Sequence, residues 1–154
     1  MPMTLSGTSG ITLPTAAAPA FSAYLNANQS IGAGAWTKIT CQAEEFDTNS
    51  NYDNATNYRF QPTVAGYYQI SGAFVTTSTS GTSMRIAIYK NGAIFKAGTY
   101  NISWGEGGSI SALVYMNGST DYVELYCNMP GSARTLDGSS VAGTYFQGVM
   151  VRSA

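Results

Sequence analysis

Residues 83–97 read SMRIAIYKNGAIFKA. Met84, Ile86 and Ile88 alternate with Arg85 and Ala87, the period of a strand with one buried face. Asn91-Gly92 then supplies the dipeptide best suited to a type I′ turn, and Ala93–Ala97 returns. A β-hairpin is the reading. Upstream, Gly66–Thr77 (GYYQISGAFVTT) is the longest such segment, with Tyr68, Ile70, Gly72 and Phe74 on one side. Downstream, Ser109–Met116 and Asp121–Asn128 flank Asn117-Gly118, which reads as a second hairpin turn. Shorter strands are expected at Phe21–Leu25, Trp36–Cys41 and Tyr58–Gln61, and Tyr145–Arg152 closes the series.

The whole chain agrees with that reading. Ser, Thr, Asn and Gly make up 61 of 154 residues, whereas Glu, Lys, Gln and Arg, the usual surface helix formers, are scarce. The chain is expected to be all-β, with strand spacing that points to a sandwich or jelly roll. Residues 1–19 are small, uncharged and turn-rich and read as a connector. The folded domain is expected over residues 20–154. No basic start or continuous apolar run suggests a signal peptide, and no stretch approaches the ~20 apolar residues of a membrane helix.

Composition also excludes chemistries. Histidine is absent, which removes Ser-His-Asp triads, Cys-His pairs and His-ligated metals. Glu44 and Glu45 are adjacent, so on a strand they would point to opposite faces, a poor basis for a paired-carboxylate site. An enzyme is not expected. Seven basic against eight acidic residues cannot supply the positive footprint that nucleic acid requires. Cys41 and Cys127 align with the apolar faces of their strands and are expected to be buried free thiols, the alternative being one bridge between them.

Several strands are apolar on their second face as well. Tyr67, Ala73 and Val75 oppose the core set of their strand; Leu113 and Tyr115 oppose Ile110, Ala112, Val114 and Met116; Tyr145, Val149 and Val151 oppose Phe146, Gly148 and Met150. A sheet apolar on both sides is expected to be covered on both, most simply by copies of the same chain.

An ordered set of motifs carries a resemblance. Ala20-Phe21-Ser22-Ala23, Phe46-Asp47, Phe60 followed by Gly66-x-Tyr68-x-Ile70, Tyr89-Lys90-Asn91-Gly92, the serine-rich Ser109–Met116, Val123-x-Leu125 and Tyr145-Phe146-x-Gly148 together resemble the C1q/tumour-necrosis-factor-like globular head. The resemblance implies a jelly-roll β-sandwich of about ten antiparallel strands that forms a homotrimer without catalytic activity or cofactor. The sheet holding the first, long, Ser109–Met116 and final strands would face the threefold axis. Tyr67, Leu113, Tyr115, Tyr145, Gln147 and Val149 would then lie in the trimer interface. The leader TLSGTSGITLP and the Asn/Ser/Thr-rich style resemble bacteriophage tail-fibre proteins, which often end in such heads. That likeness implies a virion location, a fibre-linking role for residues 1–19, and a host cell-surface glycan or outer-membrane protein as partner. The alternative is a secreted C1q-like lectin or adhesin outside a virion.

Three loops invite functional readings. Trp104, with Tyr100, sits in a Gly-rich segment, where the indole is either a receptor contact or a loop anchor. Arg134 and Asp137 would form a second recognition loop or a solvated turn. Asp47, Asn49, Asn51 and Asp53 place oxygens at every second position, as a calcium loop begins. Tyr52 stands where such a loop needs Gly, however, and Tyr58 where it needs a bidentate Glu. Asx-turns and no metal are the expectation.

Overall fold

The structure is a computed structural model that describes residues 4–6, 10–12, 18–77, 83–98, 107–139 and 143–154. Its strands are β1 (Thr4–Ser6), β2 (Gly10–Thr12), β3 (Ala20–Tyr24), β4 (Gln29–Ile31), β5 (Trp36–Lys38), β6 (Ala43–Asp47), β7 (Tyr52–Asp53) and β8 (Arg59–Phe60). They continue with β9 (Gly66–Val75), β10 (Arg85–Lys90), β11 (Ala93–Ala97), β12 (Gly107–Met116), β13 (Val123–Asn128), β14 (Arg134–Leu136) and β15 (Tyr145–Ser153). No helix occurs among the described residues.

Two sheets make the sandwich. One runs β12-β9-β15-β3-β6; the other runs β11-β10-β13-β8-β7, with β5 also paired to β13. A small ribbon, β14-β4, flanks them. Among the described residues every pairing between strands is antiparallel. Within the segment read as a connector, β1 and β2 form a two-stranded hairpin of their own.

Burial follows the alternation. Tyr68, Ile70 and Phe74 of β9 are buried, as are Ile110, Ala112, Val114 and Met116 of β12, and Val123, Leu125 and Cys127 of β13. At the centre, the ring of Phe21 stacks on Phe60 at 4.3 Å and on Tyr52 at 5.0 Å, and meets Phe146 edge-on at 5.1 Å. These rings come from β3, β8, β7 and β15, so one aromatic cluster joins both sheets. Truncating a ring like this typically costs about 3–5 kcal/mol.

The Asn91-Gly92 turn behaves as read: both residues have positive φ, 52° and 80°, which a type I′ turn requires. The Asn117-Gly118 turn does not make the expected second hairpin. It carries the chain from β12 in one sheet to β13 in the other. Burial of both apolar faces goes with this crossing: Leu125 of β13 packs over Gly72 of β9, and Ile110 of β12 lies near Ile86 of β10. Asn117 Oδ1 caps the turn by accepting the N–H groups of Ser119, Thr120 and Asp121, each at 3.0 Å. Gly118, at φ 72°, passes so close to Ala65 that a Cβ would lie 2.3 Å from its nitrogen.

Beyond β1 and β2, the sequence reading placed no strand at β4, β6, β7 or β14. In β6 a bulge opposite Ser22 and Ala23 breaks the alternation. Glu45 is its extra residue and accepts a 2.7 Å hydrogen bond from Ser22 Oγ.

Cys41 and Cys127 are buried and unbridged, and burial pushes each thiol up to about 12. The native protein is therefore expected to be inert to a thiol-specific reagent at neutral pH, with two thiols titrating after denaturation. Rapid labelling of the folded chain would contradict the burial.

Candidate oligomerisation face and loop end

The outer face of the five-stranded sheet is built row by row from strand register. Tyr115 lies opposite Tyr67, and Tyr67 opposite Arg152. The next row runs Leu113, Gln69, Val149, Ala20. Beyond it lie Ser111, Ser71, Gln147, Ser22 and Phe46, then Ser109, Ala73, Tyr145, Tyr24 and Ala43. Because side chains alternate, all of these point away from the core.

Six large apolar side chains on this sheet are exposed: Phe46 (51 %), Tyr67 (41 %), Leu113 (55 %), Tyr115 (45 %), Val149 (43 %) and Val151 (55 %). Large apolar side chains are thus concentrated on one sheet face of the isolated chain. Tyr67 and Tyr115 support one another at 5.5 Å between ring centroids. With Leu113, Val151 and the last residues of the chain they border a recess of about 670 Å³. A smaller recess of about 320 Å³ lies beside Phe46, Val149 and Gln147. Between these apolar flanks runs a polar strip in which Gln69 Nε2 donates to Ser111 Oγ and Gln147 Nε2 donates to Ser71 Oγ at 3.2 Å.

The structure thus brings together Tyr67, Leu113, Tyr115, Tyr145, Gln147 and Val149 on one face, with Gln147 exposed and Tyr145 half-buried. Phe46 joins them although the sequence reading did not place it there. Its strand is short and acidic, and only pairing with β3 turns the ring outward.

The same register orders the two ends of the sandwich. Gly66, Met116 and Ser153 lie at one end, where Ala154 N–H donates to the Ala65 carbonyl at 3.1 Å. Val75, Gly107, Tyr145 and Tyr24 lie at the other. Tyr100 and Trp104 lie outside the described residues; the strands they connect are β11 and β12.

Of the second candidate pair, Arg134 lies on a strand and not on a loop, with Asp137 just after that strand. Arg134 opens strand β14, paired with Ile31 of β4, and is only 9 % exposed. Asp137 Oδ1 accepts Ser139 N–H at 2.8 Å and Ser139 Oγ–H at 2.7 Å. Pairing with β4 converts the polar segment into a strand and turns the arginine inward.

In the 47–53 segment the carboxylates serve their own backbone. Asp47 accepts the N–H groups of Asn49 at 3.2 Å and Tyr52 at 2.6 Å. Asp53 accepts those of Ala55 at 3.1 Å and Thr56 at 2.9 Å, and the Asn57 amide at 2.7 Å. The Thr56 N–H leads these donors in holding the Asp53 carboxyl down to about 2. These are Asx-turn contacts. Among the described residues, no three His, Cys, Asp or Glu side chains gather closely enough to hold a metal ion.

No protein-family model matches the sequence, and a search of curated proteins finds no match. Solved structures do match. Murine APRIL superposes with a TM-score of 0.66 at 10 % identity, covering 87 % of this chain and 99 % of that one. The globular domain of zebrafish complement 1qA protein gives 0.58 at 18 % identity, covering 89 % and 99 %. The PRD1 vertex protein P5 gives 0.63 at 19 % identity, covering 86 % and 96 %. At such identities the likeness concerns fold alone: the chain has the TNF/C1q-like jelly-roll fold.

Proposed function

We propose that this domain is a non-enzymatic homotrimeric head that forms the distal tip of a phage tail fibre, locking three chains together and binding a receptor on the host surface. The observation that carries the reading is the outer face of the β12-β9-β15-β3-β6 sheet, with six large apolar side chains from 41 % to 55 % exposed. Burying such a face against two further copies removes it from water and presents three copies of every loop at one end. Weak single-site contacts then gain from avidity on a surface dense with receptors. A glycan or an outer-membrane protein suits that mode of attachment, and it needs no catalytic residue.

The virion assignment draws support from the fold shared with a vertex protein; a secreted lectin or adhesin draws it from the fold shared with complement 1qA. Antibody raised against the domain separates them. Labelling of fibre tips in electron micrographs of virions supports the first reading. Antigen found in culture medium and absent from particles supports the second.

Receptor contact is assigned to the loop that carries Trp104, with Tyr100 beside it. Trp104→Ala is expected to lower binding of the domain to host cells by at least about tenfold, the weight of one aromatic hot spot. The melting temperature should stay within a few degrees. A variant that unfolds would make Trp104 a structural anchor, and undiminished binding by a folded variant would move the contact elsewhere.

A further inference from the structure

The chain contains two Asn-Gly dipeptides, Asn91-Gly92 and Asn117-Gly118, and the fold brings both to the Ala154 end of the sandwich. Such a dipeptide is chemically labile, because no Cβ hinders the glycine nitrogen from attacking the asparagine side-chain carbonyl carbon. A new N–Cγ bond closes a succinimide, the Cγ–Nδ2 bond breaks, and ammonia leaves with the proton of the glycine nitrogen. Water then opens the ring to aspartate or isoaspartate. Asn91, Gly92 and Asn117 are all exposed to that water. Exposure alone would make both sites reactive.

Attack requires the carboxamide to swing back over its own backbone, and hydrogen bonds oppose that swing at both sites. Asn91 reaches across to the residues just before β13: its Nδ2 donates to Asp121 Oδ1 at 2.8 Å and its Oδ1 accepts Tyr122 N–H at 3.0 Å. The Asn91 N–H donates to the Tyr122 carbonyl at 3.1 Å, so side chain and backbone grip the same residue. Asn117 is held by its own turn. Its Oδ1 accepts the N–H groups of Ser119, Thr120 and Asp121, and its Nδ2 donates to Thr120 Oγ1 at 2.8 Å. Its own N–H donates to Asp121 Oδ2 at 3.1 Å. Both ends of each carboxamide are thus committed, and Asp121 bonds to both turns.

We propose that Asn91 and Asn117 are latent deamidation sites kept unreactive by this network, and that conversion of Asn91 releases Asn117. Aspartate at position 91 puts two carboxylate oxygens where a 2.8 Å hydrogen bond now lies. Lys90 Nζ, 2.9 Å from Asp121 Oδ2, balances only one of the two charges, so the pair repels. Isoaspartate, the other product, adds a backbone atom to the two-residue turn between Lys90 and Ala93. Either product detaches Asp121 from the first turn and leaves it free to turn away from the Asn117 N–H. The fold therefore carries a chemical clock, slow while the network is intact and faster after its first event. The clock sets the durability of the head and does not rest on what the head binds.

The test follows conversion at each site by peptide mapping and mass spectrometry during incubation in mildly alkaline buffer, for the native protein and for the same chain in denaturant. Conversion at Asn91 and at Asn117 is expected to be slower in the native protein by about tenfold or more, the weight of the hydrogen bonds that must break first. Asp121→Ala should speed Asn91 by about tenfold. Leu136→Ala, a core truncation beside Thr76 at the opposite end, should leave Asn91 slow although it also lowers the melting temperature. Asn91→Asp, the product itself, should speed Asn117 several-fold. Conversion of the native protein at the denatured rate would overturn the proposal, and that comparison needs no variant to fold. Equal acceleration by Asp121→Ala and Leu136→Ala would overturn the network as the cause, since any loss of stability would then suffice. Unchanged conversion of Asn117 in Asn91→Asp would overturn the release of the second site by the first.

Discussion

Replacing Tyr115 by Glu is expected to convert an assembly of about three times the 16.2 kDa subunit mass into monomers. Light scattering after gel filtration reads the change directly. Tyr115 stands beside Tyr67 at the bordering strand of the outer sheet, 45 % exposed in the isolated chain. In a trimer built on this face, each copy would bury a carboxylate among Leu113, Val151 and the tyrosines. Lys90 Nζ, 5.8 Å from the Tyr115 ring centroid, offsets part of the charge, but taking a carboxylate out of water still costs several kcal/mol, and threefold symmetry applies the cost three times. A total of that size exceeds what a standard interface holds in reserve. Ile94→Glu is the control: Ile94 is 49 % exposed but lies on β11, at the edge of the other sheet, and its replacement should leave the mass unchanged. A wild-type protein that is monomeric at micromolar concentration would remove the basis of the proposed function. Dissociation of both variants would place the interface elsewhere.

Legibility in the sequence tracks how far each segment depends on its neighbours. Strands β9, β12 and β15 are nine or ten residues long and alternate over most of their length, β15 up to its bulge between Met150 and Arg152. Their core faces and apolar outer faces can therefore be read before any partner is known. Asn91-Gly92 is equally local, since the backbone angles of the turn belong to those two residues. By contrast, β7 and β14 have two and three residues and owe their extension to β8 and β4. No period exists in so short a window. The Asn117-Gly118 turn has hairpin chemistry, but the sheet that receives β13 is chosen by burial of Val123, Leu125 and Cys127, which is a property of the core. Site residues follow the same division. The Tyr67, Leu113 and Tyr115 face was legible as a second apolar stripe. Phe46 was not, because only its pairing with β3 turns the ring outward.

Asp121→Ala should be among the most destabilising single changes in this protein, because one carboxylate joins both turns at the Ala154 end. Asp121 Oδ2 accepts Lys90 Nζ at 2.9 Å and Asn117 N–H at 3.1 Å, while Oδ1 accepts Asn91 Nδ2 at 2.8 Å. Asn91 Oδ1 in turn receives Tyr122 N–H at 3.0 Å, and Lys90 also donates to the Tyr115 carbonyl at 2.7 Å. At 9 % exposure the group is largely withdrawn from water, so its loss strands an ammonium and an amide that nothing else satisfies equally well. A loss of about 3 kcal/mol is expected, roughly 10 °C in melting temperature for a chain of this size. Acid should reproduce part of it. Burial pushes the Asp121 carboxyl up, but hydrogen bonds from Asn91, Lys90 and the Asn117 N–H, with the Lys90 charge, outweigh it and hold the group below its ordinary value of 3.8. Its contribution is therefore complete above that value and declines as pH falls through the lower folded one. Asp53, held to about 2, adds a second loss over the same span. Thermal melts should accordingly show little carboxylate-linked change from neutrality to about pH 5 and a fall below about pH 4, shallower in Asp121→Ala than in the wild type. Equal acid slopes in the two proteins would show that Asp121 is not the carboxylate that acid titrates, and a variant melting within a degree of wild type would remove it as the tie between the turns.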